Sequence, residues 1–322
     1  MNQGLGLAGL LALYTAGGAT AATQERNLVP IVVPFEKAPS PYIVIRVPLA
    51  SGFCEALIFD TGTNTTVLAS ALASRVGLSV GHQAGVESLN GVAPAIKGEV
   101  RGIGFEGVPA VGPRVAIATN IAGLHGFGRS MAGLYGHNWL TGTDYLIDYD
   151  ARRIVMGAAG TLPRSNGGHQ TSLSWAAGRP AVEAMVRAHS GEPFSARLVL
   201  DSGADHVTLF GGAAVRIALV AGWDQTMMID SGFGTREVPA TVARVNVGGR
   251  ERSVSVEVRK DVTDREEDGL LPTSLFRSVL VSSADGNVLF DASLALSKDL
   301  QRTTSCATGS RHHGTGHLKS PL

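Results

Sequence analysis

Large apolar residues in this chain fall into short runs broken by turn-forming residues, a pattern that predicts strands rather than long helices. Tyr42-Ile43-Val44-Ile45-Arg46-Val47 is followed by a turn at Ser51-Gly52 and by a second apolar run ending at Asp60. The stretch Ala181 to Val186 is followed by a turn at Ser190-Gly191-Glu192 and by a second run ending at Asp201. Each reads as a β-hairpin whose second strand delivers a carboxylate. Short helical patterns come next, over Leu68 to Val76 and Ala213 to Leu219. Strands with Gly-rich turns then occupy Leu89 to Gly104 and Val108 to Ala118 in the first half, and Met227 to Val247 and Ser253 to Val258 in the second.

The two series keep step further along. Gly133-Leu134-Tyr135-Gly136 and Gly269-Leu270-Leu271-Pro272 follow their respective Asp by 73 and 68 residues. Strand pairs come after each: Tyr145 to Tyr149 with Ile154 to Met156, and Val279 to Ser282 with Val288 to Phe290. Landmarks aligned in order mark an internal duplication. The expected fold is all-β and bilobal, with short helices in each lobe, a first lobe over 28–160 and a second over 170–295.

Duplication changes the meaning of two tripeptides. Asp60-Thr61-Gly62-Thr63 and Asp201-Ser202-Gly203-Ala204 each close an apolar run and lead into another, Val67-Leu68 and Val207 with Leu209-Phe210. Two carboxylates delivered by equivalent loops can meet, share one proton and activate a water. A third match, Asp230-Ser231-Gly232, keeps no such register and falls within a hairpin, at the offset where the first half has Ser88-Leu89-Asn90-Gly91. Asp230 is therefore read as a turn residue.

Composition narrows the classes. Apolar residues make up 44% of the 322, and charged ones 17%, which fits a globular chain, and 41 glycines suit many tight turns. Lys plus Arg and Asp plus Glu both number 27, and no basic run precedes the tail, so the footprint of a nucleic-acid binder is missing. No later stretch approaches the roughly 18–20 apolar residues of a membrane span. At the N-terminus the apolar stretch Leu5 to Tyr14 and Gly17-Gly18-Ala19-Thr20-Ala21 have the shape of a secretory signal over 1–22, without a basic residue before Arg26. The alternative is an apolar, loosely ordered leader. Cys54 and Cys306 can pair if the chain is exported, or stand as a buried and a free thiol. The segment 297–322, which holds His312, His313 and His317, reads as a disordered tail and not as a metal site.

Over about residues 30–295 the chain resembles the aspartic proteases, in particular the bacterial retropepsin-like ones, with both halves fused in one polypeptide. The resemblance rests on Phe59-Asp60-Thr61-Gly62, Leu200-Asp201-Ser202-Gly203 and the Gly-Leu landmarks at Gly133 and Gly269. It implies Asp60 and Asp201 as a catalytic dyad of an endopeptidase. Thr61 and Ser202 would interlock the loops, and Gly62 and Gly203 would let backbone N–H groups approach the carboxylates. Thr63 would donate to Asp60, where Ala204 has nothing to offer Asp201. No metal or organic cofactor is implied. The partner would be a polypeptide lying extended between the lobes under a hairpin flap, and the protein a monomer; the signal-like N-terminus points to a periplasmic or secreted location.

The chain also departs from the family pattern. Pro272 stands where the first half has Gly136, and the flap segment near Leu89 to Lys97 lacks a Tyr. A peptide-binding scaffold on the same two lobes, or a precursor awaiting processing, are the alternative readings. Trp139, Phe59 and Leu275 are expected in the core. His137 and His206 are either cleft residues or structural histidines.

Overall fold

A computed structural model describes residues 29–37, 42–78, 81–88, 91–106, 108, 114–121, 125–126, 129–163, 165–221, 225–231, 234–295, 302–303 and 306. The segment 1–22, read as a secretory signal, lies outside them. The architecture is mostly β, with helices only at Ser70–Arg75 and Gly211–Ala221 and two single-turn 3-10 segments among the described residues.

The duplication is visible in strand pairing. Ile43–Pro48 pairs antiparallel with Cys54–Asp60, as Arg179–Ala188 pairs with Phe194–Asp201. Cys54–Asp60 then takes Gly133–Gly136 as a parallel neighbour, and Phe194–Asp201 takes Gly269–Pro272. The registers coincide: Gly133 faces Leu57 and Gly136 faces Asp60, while Gly269 faces Leu198 and Pro272 faces Asp201. On the far side of each inserted strand lies Thr66–Ala69 or Val207–Phe210, antiparallel to it. Parallel neighbours in the middle of a sheet are buried on both faces. Leu57, Phe59, Tyr135, Leu198, Leu200 and Leu271 are accordingly fully buried.

Hairpins complete each lobe: His82–Ser88 with Gly91–Val100, and Gln225–Ser231 with Gly234–Val247. The first begins seven residues earlier than the sequence pattern suggested, because His82-Gln83-Ala84-Gly85 carries no apolar alternation. Both end in the same register, Ser88 facing Gly91 and Ser231 facing Gly234. Asp230, read as a turn residue, instead lies within the strand Gln225–Ser231 and faces Thr235, because the strand pairing continues one residue beyond it.

A shared sheet joins the lobes. Thr143–Asp148 and Ser278–Ser282 pair antiparallel, Tyr145 facing Val281 and Ile147 facing Val279, within a fourteen-stranded sheet. The second lobe adds an eight-stranded sheet of its own. Across the joint, the buried Asp144 accepts hydrogen bonds from the backbone N–H groups of Gly160 and Ser283, both at 2.7 Å. Tyr149 and Thr273 link hydroxyl to hydroxyl at 2.6 Å.

Beyond 297 the segment read as disordered contains a described strand: Arg302–Thr303 pairs parallel with Ile31–Lys37. Cys306 is bonded to Cys54 across 252 residues, with Cα atoms 5.8 Å apart. A covalent anchor three residues past the strand supplies order that the polar composition of the tail gave no reason to expect. His312, His313 and His317 lie outside the described residues.

Candidate active site

Each candidate Asp ends a buried strand, and the loop beyond it meets the loop of the other lobe. Thr61 donates its hydroxyl to the Leu200 carbonyl at 2.7 Å, and Ser202 donates its own to the Phe59 carbonyl at 2.7 Å. Each hydroxyl also accepts the other residue's backbone N–H at 3.1 Å. Four hydrogen bonds around a pseudo-two-fold axis bind the loops into one unit, with Thr61 and Ser202 buried. Neutral bonds of this kind each contribute about 1 kcal/mol net, and more is lost when a buried partner is orphaned.

The glycines follow from the same closeness. A methyl group on Gly62 would overlap the Asp201 carboxyl, and one on Gly203 would lie 2.8–3.0 Å from the Asp60 carboxyl. Each carboxylate therefore packs against the opposite loop. The Asp60 charge opposes ionisation of Asp201, as expected of two carboxyls that share one site.

The pair is unequal. Asp60 accepts from Thr63 twice, from the N–H at 3.0 Å and the hydroxyl at 2.7 Å. Asp201 accepts the Gly203 N–H at 2.7 Å. Burial raises the pKa of Asp60, and the Thr63 and Gly62 donors oppose the rise. Burial raises Asp201 well above the carboxylate range, the Asp60 charge adding to the effect. The Thr63 donors favour the charged form of Asp60, and the two carboxyls titrate as one pair.

Pro272 disturbs less than its missing N–H suggested. In the first lobe the Gly136 N–H donates to the Thr66 hydroxyl at 3.0 Å. The residue equivalent to Thr66, six past its Asp, is Val207. Donor and acceptor are absent together in the second lobe, so nothing is orphaned.

A cavity of about 860 Å³ runs over both carboxylates. Its first-lobe wall is largely apolar, with Ile58, Val67, Ile117 and Leu134. Its second-lobe wall is charged, with Asp205, His206, Glu266 and Arg179. Of the two hairpins, only the first reaches it among the described residues, through Gly85 and Val86. Leu89 and Asn90 lie outside the described residues.

Phe59 and Trp139 are in the core, and Leu275 packs against it. His206 lines the cavity with Nδ1 2.6 Å from Asp205. His137 does not; it is buried, its ring 5.3 Å from that of Trp175. Burial lowers its pKa to about 4; the Arg179 charge acts in the same direction and the Gly178 backbone against it. The described residues contain no cluster of His, Cys, Asp and Glu able to hold a metal, and no helix among them is long and apolar enough to cross a membrane.

Sequence reasoning missed Arg179. It is buried, forms an ion pair with Glu267 at 2.8 Å, and donates across the lobe boundary to the Gly62 carbonyl at 3.3 Å. The available signal was an arginine opening the apolar run Arg179-Pro180-Ala181-Val182.

No family model matches the chain, and no curated protein sequence matches it. Among solved structures, an aspartic proteinase from Irpex lacteus is similar over 84% of this chain and 99% of its own, with a TM-score of 0.50 and 10% identity. A likeness at that identity shows the fold: mostly β and bilobal, of the pepsin-like aspartic proteinase kind.

Proposed function

We propose that the protein is an aspartic endopeptidase in which Asp60 and Asp201 activate a water between them. The observation that carries this reading is the pair of carboxyls, Asp201 buried and Asp60 half-buried, on two loops locked together by the reciprocal Thr61 and Ser202 hydroxyls, each packed against the other's glycine. Asp60, ionised, takes a proton from the water as its oxygen attacks the peptide carbonyl. Asp201, protonated, hydrogen-bonds the carbonyl oxygen and stabilises the charge that develops there. Proton transfer to the amide nitrogen then lets the C–N bond break and releases the amine.

The substrate is a polypeptide bound extended in the cleft, its backbone pairing with strand edges and with the first hairpin. Both carboxyls come from one chain, so a monomer suffices. The Cys54–Cys306 bond supports an oxidising compartment, in keeping with export.

Incubation of the purified protein with a broad peptide library from pH 3 to 8, beside Asp60→Asn and Asp201→Asn and with a statine-type inhibitor, tests the proposal. Inhibitor-sensitive cleavage by the parent protein alone is the expected result. Library peptides bound but left intact at every pH would favour the scaffold reading.

A further inference from the structure

Arg179 occupies a built position that the dyad itself does not require. It follows a two-residue turn in which Ala177 and Gly178 both have positive φ, 48° and 77°. The left-handed region costs a non-glycine residue roughly 1–2 kcal/mol. Glu266 secures that turn by accepting the Ala177 N–H at 2.7 Å, and the adjacent Glu267 holds the arginine. The guanidinium then has three fixed contacts: Nε to the Ala176 carbonyl at 3.2 Å, Nη2 to Glu267 at 2.8 Å, and Nη1 to the Gly62 carbonyl at 3.3 Å. Arginine forms such a fork where lysine would not. Two consecutive acidic residues and a strained turn thus fix one cation against the opposite lobe's catalytic loop.

We propose that Arg179 is a positioning residue that braces the Asp60 loop through Gly62 and sets, by its charge, the pH at which the proton leaves the dyad. This rests on the endopeptidase reading for its effect on cleavage, but not for its effect on the dyad's titration. Gly62 lies directly before Thr63, the residue whose N–H and hydroxyl fix Asp60. Holding the Gly62 carbonyl therefore holds Asp60 through one peptide unit.

The charge acts on Asp201, whose ionised form it stabilises against burial and the Asp60 charge. Other ionisable groups bear on the same space from every side. Glu267 offsets Arg179 and is itself shared with Arg265 at 3.3 Å. Tyr149 approaches Asp201 from the shared sheet, and burial keeps its hydroxyl neutral. His137 is neutral above about pH 4. Asp205 and His206 pair with each other on the second Asp loop. Arg265 and His206 line the same cavity, and Arg179 is distinguished among the described residues by its contact with the Asp60 loop at Gly62.

Carbon-13 NMR of aspartate-labelled protein, with the two carboxyls assigned through Asp60→Asn and Asp201→Asn, reads this directly and needs no substrate. Arg179→Met should move the upper titration of the pair upward by about one pH unit. Arg179→Lys should keep it within a few tenths of a unit, yet lower kcat roughly tenfold with little change in KM, because the charge stays and the fork is lost. Glu267→Gln should move it the opposite way, downward, and that variant carries the test if Arg179→Met does not fold. An upper titration unmoved in Arg179→Met, or in Glu267→Gln alone if only that folds, would overturn the proposal and leave Arg179 a structural brace. A shift without cleavage by the parent protein would sink the endopeptidase reading and leave the role of Arg179 standing.

Discussion

Asp60 accepts two hydrogen bonds from Thr63, whereas Asp201 accepts a backbone N–H from Gly203 and faces Ala204 where a second hydroxyl would stand. The two lobes place these residues in the same register on the same strand arrangement. The contrast teaches that duplication fixes where the carboxylates go, while single substitutions around them make the two unequal. Other equivalent positions have also diverged. Gly136 and Thr66 form a hydrogen-bonded pair, and Pro272 and Val207 replace both partners at once. Buried His137 faces a different fate from its counterpart Thr273, which cannot titrate in the working range. Cys54 is anchored to the tail, and Ser195, its equivalent, instead donates to Glu183 at 2.6 Å.

These differences can be broken one at a time. The largest effect is expected at the glycines, where Gly62→Ala forces the Asp201 carboxyl aside and Gly203→Ala only crowds Asp60. Gly62→Ala should abolish cleavage, and Gly203→Ala should leave a measurable fraction; equal losses in a peptide assay would contradict the unequal packing.

Next in size is the disulfide. Cys54→Ser should cost about 2–4 kcal/mol in denaturant unfolding, the usual range for a native bridge. Ser195→Ala should cost no more than about 1 kcal/mol at its exposed site.

The pH dependence of stability separates His137 from the dyad by sign. His137 has a folded pKa lowered to about 4, so its contribution is present above the unfolded value near 6.5 and is lost as pH falls towards 4. That loss amounts to about 3 kcal/mol, and His137→Phe should remove it. The dyad acts oppositely: a carboxyl raised in the folded state stabilises below its unfolded pKa, and the contribution fades as pH rises through the folded one. Melting curves at pH 4 and 7 for His137→Phe and Asp201→Asn should therefore diverge in opposite directions.

The smallest effect probes the paired divergence. Thr66→Val leaves the Gly136 N–H without its acceptor and should cost about 1–3 kcal/mol in unfolding free energy. Restoring a hydroxyl alone in the second lobe, Val207→Thr, buries a group opposite a proline that cannot donate to it. It should be destabilising too.

Much of this was legible in the chain because duplication writes the same signal twice. Asp60, Asp201, their glycines and the Gly133 and Gly269 strands kept register in sequence and in pairing. The offset of the Asp230 tripeptide matched Ser88 to Gly91 in the other hairpin, yet Asp230 itself lies in a strand and not in the turn. What escaped was what occurs once. Arg179 acts through contacts with Glu267 and Gly62, 88 and 117 residues away, and no local pattern announces them. The first strand of the first-lobe hairpin is mostly polar or glycine, so periodicity started too late. Cys54 and Cys306 meet only because a short strand carries the tail along Ile31–Lys37. The merging of both lobes into one sheet depends on Thr143–Asp148 finding Ser278–Ser282, a pairing that apolar content alone does not specify.

The central claim is that two carboxyls from equivalent loops act as one catalytic unit. The most direct measurement is kcat/KM on a cleaved library peptide for the parent protein, Asp60→Asn, Asp201→Asn and the double variant. Each single substitution should lower it at least about a thousandfold, with the double variant no worse, as expected of residues that work as a unit. Substantial cleavage surviving either single substitution would contradict the account.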